Sequence, residues 1–179
     1  MFLEQKIYGE RIYLKKLTIL NATEEYCGWL NDPEVNIYLE TRECTTDDLK
    51  KYIKKKSEQK NCLFLGIYWK ENDKHIGTIK LEPIDYKKSA ATMGIMIGDK
   101  NYWGKGVGGE AVNLLTNYAF QQLGLKEMNL GVMATNQRAL RLYEKCGFKV
   151  YEIEKNALNH DGKLFDNILM KKINLNKRI

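Results

Sequence analysis

A mixed α/β fold of the α+β kind, with a mostly antiparallel seven-stranded sheet flanked by about four helices, is what this sequence predicts. Three observations carry the prediction. Alternating apolar and polar runs meet at the tight-turn pairs Asn72-Asp73 and Asp161-Gly162, the mark of antiparallel hairpins. A glycine-rich stretch at 103–109 opens an apolar-periodic helix, whose crossover into the next strand makes one parallel pair. A shorter helix further on has both ends marked, by Asn136 as a favoured N-cap type and Gly147 as a C-terminal stop.

In chain order the pattern gives strand 11–17, then helix 21–31 with Pro33 just beyond it. Helix 46–59 carries Leu49, Tyr52 and Ile53 on one side, which leaves Lys54, Lys55 and Lys56 on the solvated side. Strands 62–70 and 75–84 form a hairpin, and strand 90–98 continues the antiparallel order. Helix 106–122 places Val107, Ala111, Leu114, Leu115, Tyr118 and Ala119 on one face, and Glu110, Asn113, Asn117 and Gln121 on the other. Strand 126–132, helix 137–146 and the long hairpin of strands 148–158 and 163–172 complete the chain, without repeats, linkers or low-complexity tracts.

Composition narrows the classes of function. A chain of 179 residues with 44% hydrophobic content suits one domain, 1–179, with a single core. It holds no run of about 18 apolar residues, and Glu4, Lys6 and Glu10 stand among the first ten positions, so neither a membrane span nor a signal peptide is expected. A cytoplasmic protein follows. Cys27, Cys44, Cys62 and Cys146 are scattered without Cys-x-x-Cys spacing, as reduced and mostly buried thiols would be. His75 and His160 both read as turn residues, and no ligand cluster suggests a metal site. The net charge of +6 is spread along the chain, which argues against nucleic acid but suits a phosphate-rich small molecule through long-range steering.

The glycine-rich stretch is where chemistry enters. Trp103, Gly104, Lys105, Gly106, Val107, Gly108 and Gly109 lead into a helix, so amide N–H groups without intrahelical partners sit beside residues that let a ligand approach closely. With the helix dipole they form an anion site. Gly104, Gly106 and Gly109 also satisfy the dinucleotide pattern G-x-G-x-x-G. That reading needs an acidic residue at the end of the next strand, whereas Glu127 stands near its beginning, and the upstream elements look antiparallel. A ligand-free glycine turn is the remaining alternative.

About thirty residues on, the run from Asn136 to Phe148 contains Arg138, Ala139, Leu142, Tyr143, Glu144, Cys146 and Gly147. Tyr143 lies one helical turn after Ala139, a small residue that leaves room beside its ring, although a lone tyrosine can equally pack against the sheet. Together the two segments resemble the GNAT superfamily of N-acetyltransferases. The family's Arg/Gln-x-x-Gly-x-Gly/Ala motif is matched from Trp103 to Gly108, and its Asn-x-x-Ala-x-x-Leu-Tyr-Glu-x-x-Gly-Phe motif from Asn136 to Phe148. The opening Arg11-Ile-Tyr-Leu and Trp29-Leu-Asn-Asp-Pro-Glu-Val resemble the branch of ribosomal-protein N-terminal, spermidine and amino-sugar acetyltransferases. Trp103 departs from the general motif, as is common in that branch, and removes one possible phosphate-binding side chain.

The resemblance implies splayed central parallel strands, acetyl-CoA as co-substrate, and direct transfer of acetyl to a primary amine without a covalent enzyme intermediate. Amides of 103–109 would take the pyrophosphate, Asn136 the pantetheine arm, and the backbone N–H of Ile97 the oxyanion, a contribution of about 2.7–4 kcal/mol. Arg138 and Ala139 belong to the same binding segment. Tyr143 would protonate the leaving thiolate. A general base has no distinctive signature; Glu82 is named as the candidate, with Asp85 and Glu40 as others. The acceptor is expected to be a small-molecule or peptide amine. Amino-sugar nucleotides come first, then ribosomal-protein N-termini and polyamines, the last requiring carboxylates to converge near Glu24, Glu25, Glu34 or Glu40. A non-catalytic acyl-CoA sensor is the reading of another class, and the hairpin at 148–172 offers an edge for a homodimer.

Overall fold

The computed structural model describes residues 6–39 and 43–175. In chain order it holds β1 (Ile7–Tyr8), β2 (Ile12–Lys16), a 3₁₀ turn (Ile19–Asn21), α1 (Glu24–Asn31), α2 (Pro33–Asn36), α3 (Thr46–Glu58), β3 (Leu63–Trp69), β4 (Lys74–Asp85) and β5 (Ala90–Ile97). A second 3₁₀ turn (Lys100–Tyr102), α4 (Val107–Gln121), β6 (Glu127–Met133), α5 (Gln137–Lys145), β7 (Lys149–His160) and β8 (Lys163–Ile173) follow. The seven expected strands and four expected helices are all there. Two short elements join them among the described residues: β1, a two-residue strand paired with β2, and α2, a single turn capped by Asp32 with Pro33 at its first position. Neither is long enough to show a period.

The sheet runs β1-β2-β3-β4-β5-β6-β8-β7, antiparallel throughout except between β5 and β6. Strand β3 shows why helices cover both faces. Leu63, Leu65 and Ile67 join the large cluster under α4 and α5, with Val107, Ala111, Leu115 and Phe148, while Phe64 and Cys62, just before the strand, join Leu17 after β2, Tyr26 and Trp29 of α1, and Leu49 and Ile53 of α3. Alternate residues of a strand point to opposite faces, so one apolar run serves two cores. The turn at Asp161-Gly162 has φ of 53° and 74°, the paired positive values of a type I′ hairpin.

The functional opening is in the parallel pair. Ala90, Ala91 and Thr92 pair with Glu127, Met128 and Asn129, and the pairing stops there, although β5 continues beside β4 to Ile97 and β6 beside β8 to Met133. The two strands diverge from Met93 onward. The expected splay is therefore present, and it leaves the inner edges of both strands unpaired with each other.

Three residues depart from the sequence expectations: His75, His160 and Lys56. His75 lies in β4, not in a turn, and its ring is boxed by Tyr68, Tyr26 and Trp29 at centroid distances of 5.0, 5.5 and 5.1 Å. The hairpin turn falls earlier, at Asp73, whose φ is 55°. His160 is likewise the last residue of β7, one place before its turn. Lys56 does not share the solvated side with Lys54 and Lys55; it leans onto the sheet and pairs with Glu82.

Candidate active site

The loop before α4 is held from beneath by a residue far away in sequence. Arg11 donates through Nη1 to the Lys105 carbonyl at 2.5 Å and through Nε to Glu110 Oε2 at 3.0 Å, while its backbone N–H reaches Glu110 Oε1 at 2.9 Å. Gly106 caps the helix in the left-handed region at φ 76°, where a side chain would be strained and would crowd the Arg11 guanidinium. The first bond onto the helix is Glu110 N–H to the Gly106 carbonyl at 3.1 Å, which leaves the amides of Val107, Gly108 and Gly109 outside the ladder. Turning the Lys105 carbonyl toward Arg11 keeps an acceptor oxygen away from the side where these amides offer donors. The cradle fits a pyrophosphate.

Trp103 does structural work in place of the motif's Arg or Gln. Its indole N–H donates to the Ile97 carbonyl at 2.8 Å, and the Arg138 guanidinium lies 5.1 Å from its ring centre. The loop is thus tied to the end of β5, and a cation from α5 stands beside it.

Ile97, expected to serve the oxyanion, is the last residue of β5. It faces Gly77 across the antiparallel pair, and the neighbouring Gly98 N–H donates to the Ile76 carbonyl at 3.0 Å. Antiparallel pairs alternate between bonded and non-bonded, so the Ile97 amide turns away from β4, toward the gap. The same alternation turns the Ile95 amide that way, a donor the sequence reading missed because no side chain marks it. Gly98, just beyond, has no side chain because the Trp29 indole occupies the space; a Cβ there would fall 2.1 Å from it. That contact seats α1 against the end of β5.

Across the gap, Asn136 Oδ1 accepts from Ala139 N–H at 3.1 Å and so starts α5 beside β6. Tyr143 is 7% exposed, packs edge-on to Phe148, and has no hydrogen bond from its hydroxyl among the described residues. Burial pushes its pKa up to about 12, with the nearby Cys146 adding to the effect, so it stays protonated through the physiological range.

Tyr143, Asn136 and Ala139 line one side of a cavity of about 580 Å³ that runs through the splay. Met93 to Met96 of β5 and Gly131 to Met133 of β6 form its inner walls. The rest of its lining includes residues without a sequence signature: Tyr38, whose hydroxyl donates to the Thr135 carbonyl at 3.4 Å beside Asn136, and Glu43, Asp48, Tyr52, Phe64 and Lys80. They come from four separate segments, which is why no spacing announces them.

The general-base expectation fares worse. Glu82 does not line the cavity; its two oxygens are taken by Lys56 and by Lys80, the latter at 3.1 Å. Burial alone would raise its pKa, but the two lysines outweigh it and hold the carboxyl below its usual range. A carboxylate so stabilised is a poor proton acceptor. Asp85 accepts from Lys88 N–H in a turn, and Glu40 lies outside the described residues. Glu25 and Glu34 pair with Lys74 and Lys100 at 3.2 and 2.6 Å, and neither they nor Glu24 line the cavity, so the carboxylates proposed to converge do not do so among the described residues.

A splayed parallel pair, an amide cradle at the start of α4 and a protonated tyrosine facing the gap define an acyl-CoA-dependent acyltransferase site. Residues 11–149 match the family model described as an acetyltransferase (GNAT) domain, and the chain belongs to that family. It is an N-acetyltransferase with acetyl-CoA as co-substrate. Among curated relatives, an uncharacterized N-acetyltransferase p20 of Bacillus licheniformis is 29% identical over 90% of this chain and 92% of the relative. Acetyltransferase PseH of Campylobacter jejuni is 26% identical over 80% and 88%. Among solved structures, spermidine N-acetyltransferase of Vibrio cholerae, in complex with CoA and spermine, superposes with a TM-score of 0.84 at 22% identity, covering 91% of this chain and 95% of that one. No helix among the described residues is long and apolar enough to cross a membrane.

Proposed function

We propose that this protein transfers acetyl directly from acetyl-CoA to the primary amine of a small molecule, with an amino-sugar nucleotide as the first acceptor class. The observation that carries the reading is one cavity lined both by Tyr143 and Asn136 and by Glu43, Asp48, Tyr52 and Lys80, so that a thioester beside Tyr143 and an amine beside the carboxylates share one space. When bound, acetyl-CoA supplies an activated thioester. The amides of 103–109 hold its pyrophosphate, and Asn136, Arg138 and Ala139 hold the arm beside β6. Ile97, with Ile95 as its neighbour on the same edge, presents an N–H to the thioester oxygen, where a fixed donor is worth about 2.7–4 kcal/mol. Tyr143 gives its proton to the departing sulfur.

The half-exposed rings of Tyr38 and Tyr52 offer faces for a sugar, and the carboxylates of Glu43 and Asp48 attract the protonated amine. Those two carboxylates also favour a second reading, a polyamine acceptor. Asp48, held below its usual range chiefly by its bond with the Thr45 hydroxyl, is a weak proton acceptor, so water carries the amine's proton out along the open gap. We place the reaction in the cytoplasm, where acetyl-CoA is available. The test is acetyl-CoA-dependent release of free CoA thiol, with the protein's own thiols blanked, against amino-sugar nucleotides, polyamines, aminoglycosides and N-terminal peptides. Turnover with amino-sugar nucleotides bears the proposal out; turnover confined to polyamines or peptides replaces its acceptor, and acetyl-CoA binding without turnover on any amine favours the sensor.

A further inference from the structure

Three charged groups meet where β4 faces α3. Lys80 Nζ lies 3.1 Å from Glu82 Oε2 and 3.2 Å from the Tyr52 hydroxyl, and the other oxygen of Glu82 accepts from Lys56. One carboxylate shared by two ammonium groups leaves a surplus positive charge. Its location is set by which members reach the opening: Lys80 and Tyr52 line the cavity, whereas Lys56 and Glu82 stand behind them, 13% and 17% exposed. The stem of Lys80 lies across Gly94 of β5, with Cε 3.6 Å from where a Cβ would be, so the lysine is laid along the cavity wall and not extended into bulk water.

An ammonium has three donors, and Glu82 and Tyr52 account for two. The cavity's carboxylates, Glu43 and Asp48, lie on the segment entering α3 and in its first turn, and Asp48 is engaged by the Thr45 hydroxyl at 2.5 Å. The cavity therefore divides its charges between two elements, carboxylates on the approach to α3 and in its first turn and the Lys80 ammonium on β4. From this division we infer that the acceptor carries an anionic group, a phosphate or carboxylate, which Lys80 and Tyr52 bind while the amine is drawn toward the carboxylates and the thioester. Lys80 is then a specificity-determining residue, and Glu82 and Lys56 are positioning residues: Glu82 anchors Lys80, and Lys56 offsets the charge of Glu82 so that the anchor does not cancel the lysine it holds.

The inference rests on the acetyltransferase reading of the same cavity, and a binding experiment separates the two. The CoA-loaded full chain is titrated calorimetrically with glucosamine, glucosamine 6-phosphate, UDP-glucosamine, muramic acid and spermidine, while CoA thiol release is followed separately with acetyl-CoA. Phosphate or carboxylate members are expected to bind about tenfold or more tightly than glucosamine, the scale of one charge-assisted hydrogen bond in a half-buried site. Lys80→Met should remove that advantage, and Lys80→Arg should keep part of it. Preference for the phosphates over muramic acid, or the reverse, identifies which anion is read. Equal or tighter binding of glucosamine or spermidine, or an anion advantage that survives Lys80→Met, overturns the inference. Anion-selective binding without thiol release would instead sink the transferase reading and leave the anion site standing. Circular dichroism and CoA affinity of each variant establish that the fold is intact.

Discussion

The two halves of the site are built by opposite strategies. On the proposed cofactor side, one contiguous loop and one helix start offer backbone amides, in a segment held by Arg11, Glu110 and Trp103. On the acceptor side, Tyr38, Glu43, Asp48, Tyr52, Phe64 and Lys80 are side chains drawn from α3, β3, β4 and the segment between α2 and α3. Backbone donors are indifferent to side-chain identity and need only glycine and a helix end, so this half is shared by enzymes with different acceptors. Side chains set on a splayed sheet can be exchanged singly, so the acceptor half is where specificity resides.

The sharpest way to test that division is at the residue between the halves. Tyr143→Phe keeps the ring, its packing on Phe148 and the cavity wall, and removes only the proton donor. A fall of about 100-fold or more in kcat is expected, the usual scale for a general acid, with acetyl-CoA affinity unchanged. Steady-state kinetics beside calorimetry checks this; full turnover in the variant would return Tyr143 to a packing role.

Acid should weaken the fold through His75, which is packed between β3 and α1 against Tyr68, Tyr26 and Trp29 and stands outside the cavity lining of either half. Burial pushes the pKa of His75 down to about 4, only partly offset by its bond with Gly77 and by Glu25. In the unfolded chain the same ring titrates near ~6.5, so between those values the unfolded state binds the extra proton. Stability from the neutral ring is complete above pH 6.5 and drains away as pH falls toward 4, by on the order of 2 kcal/mol at pH 5. Urea unfolding at pH 7 and 5 should show this difference in the native protein and its loss in His75→Phe; an unchanged difference would acquit the histidine.

How much of each half could be read from the sequence follows from the same contrast. The cofactor loop, Asn136 and Tyr143 were legible because their spacing is local: glycines at a helix start and a capped helix nine residues long. The sheet order near them was legible through hairpin turns and one crossover. Arg11 was visible only as the start of a strand, since its partners are Lys105 and Glu110, 94 and 99 residues away. Glu82 illustrates the converse failure. A carboxylate at the end of a strand is a reasonable base until two lysines, one of them on a helix 26 residues earlier, are seen to occupy it.

Arg11 offers a way to damage the cofactor half without touching its contact groups. Arg11→Met removes the donors to Lys105 and Glu110 and frees the Lys105 carbonyl to turn outward. Acetyl-CoA affinity should drop about tenfold, consistent with about 1.5 kcal/mol for a charge-assisted bond, while the KM for the acceptor stays put. Calorimetric titration with CoA measures the first and steady-state kinetics the second. An equal rise in both constants would mean that Arg11 supports the fold as a whole rather than the loop.

The smallest effect belongs to Arg138, and it probes whether any side chain matters on the cofactor side. Its guanidinium stands over Trp103, the residue that takes the motif's usual cationic position, so one positive charge is regained from α5 at a place where the sequence motif lost it. An exposed cation over an indole is worth only about 0.5–1 kcal/mol, and a phosphate reached through solvent adds little more. Arg138→Ala should therefore weaken CoA by a factor of about two to five, with most of the difference gone at high salt. Loss on the scale of Arg11→Met would show that this half, too, depends on a side chain for its grip, and would break the contrast between a backbone-built cofactor site and a side-chain-built acceptor site. A small, salt-sensitive loss would keep it, because a contact that ions can screen guides the phosphates toward the amides that hold them.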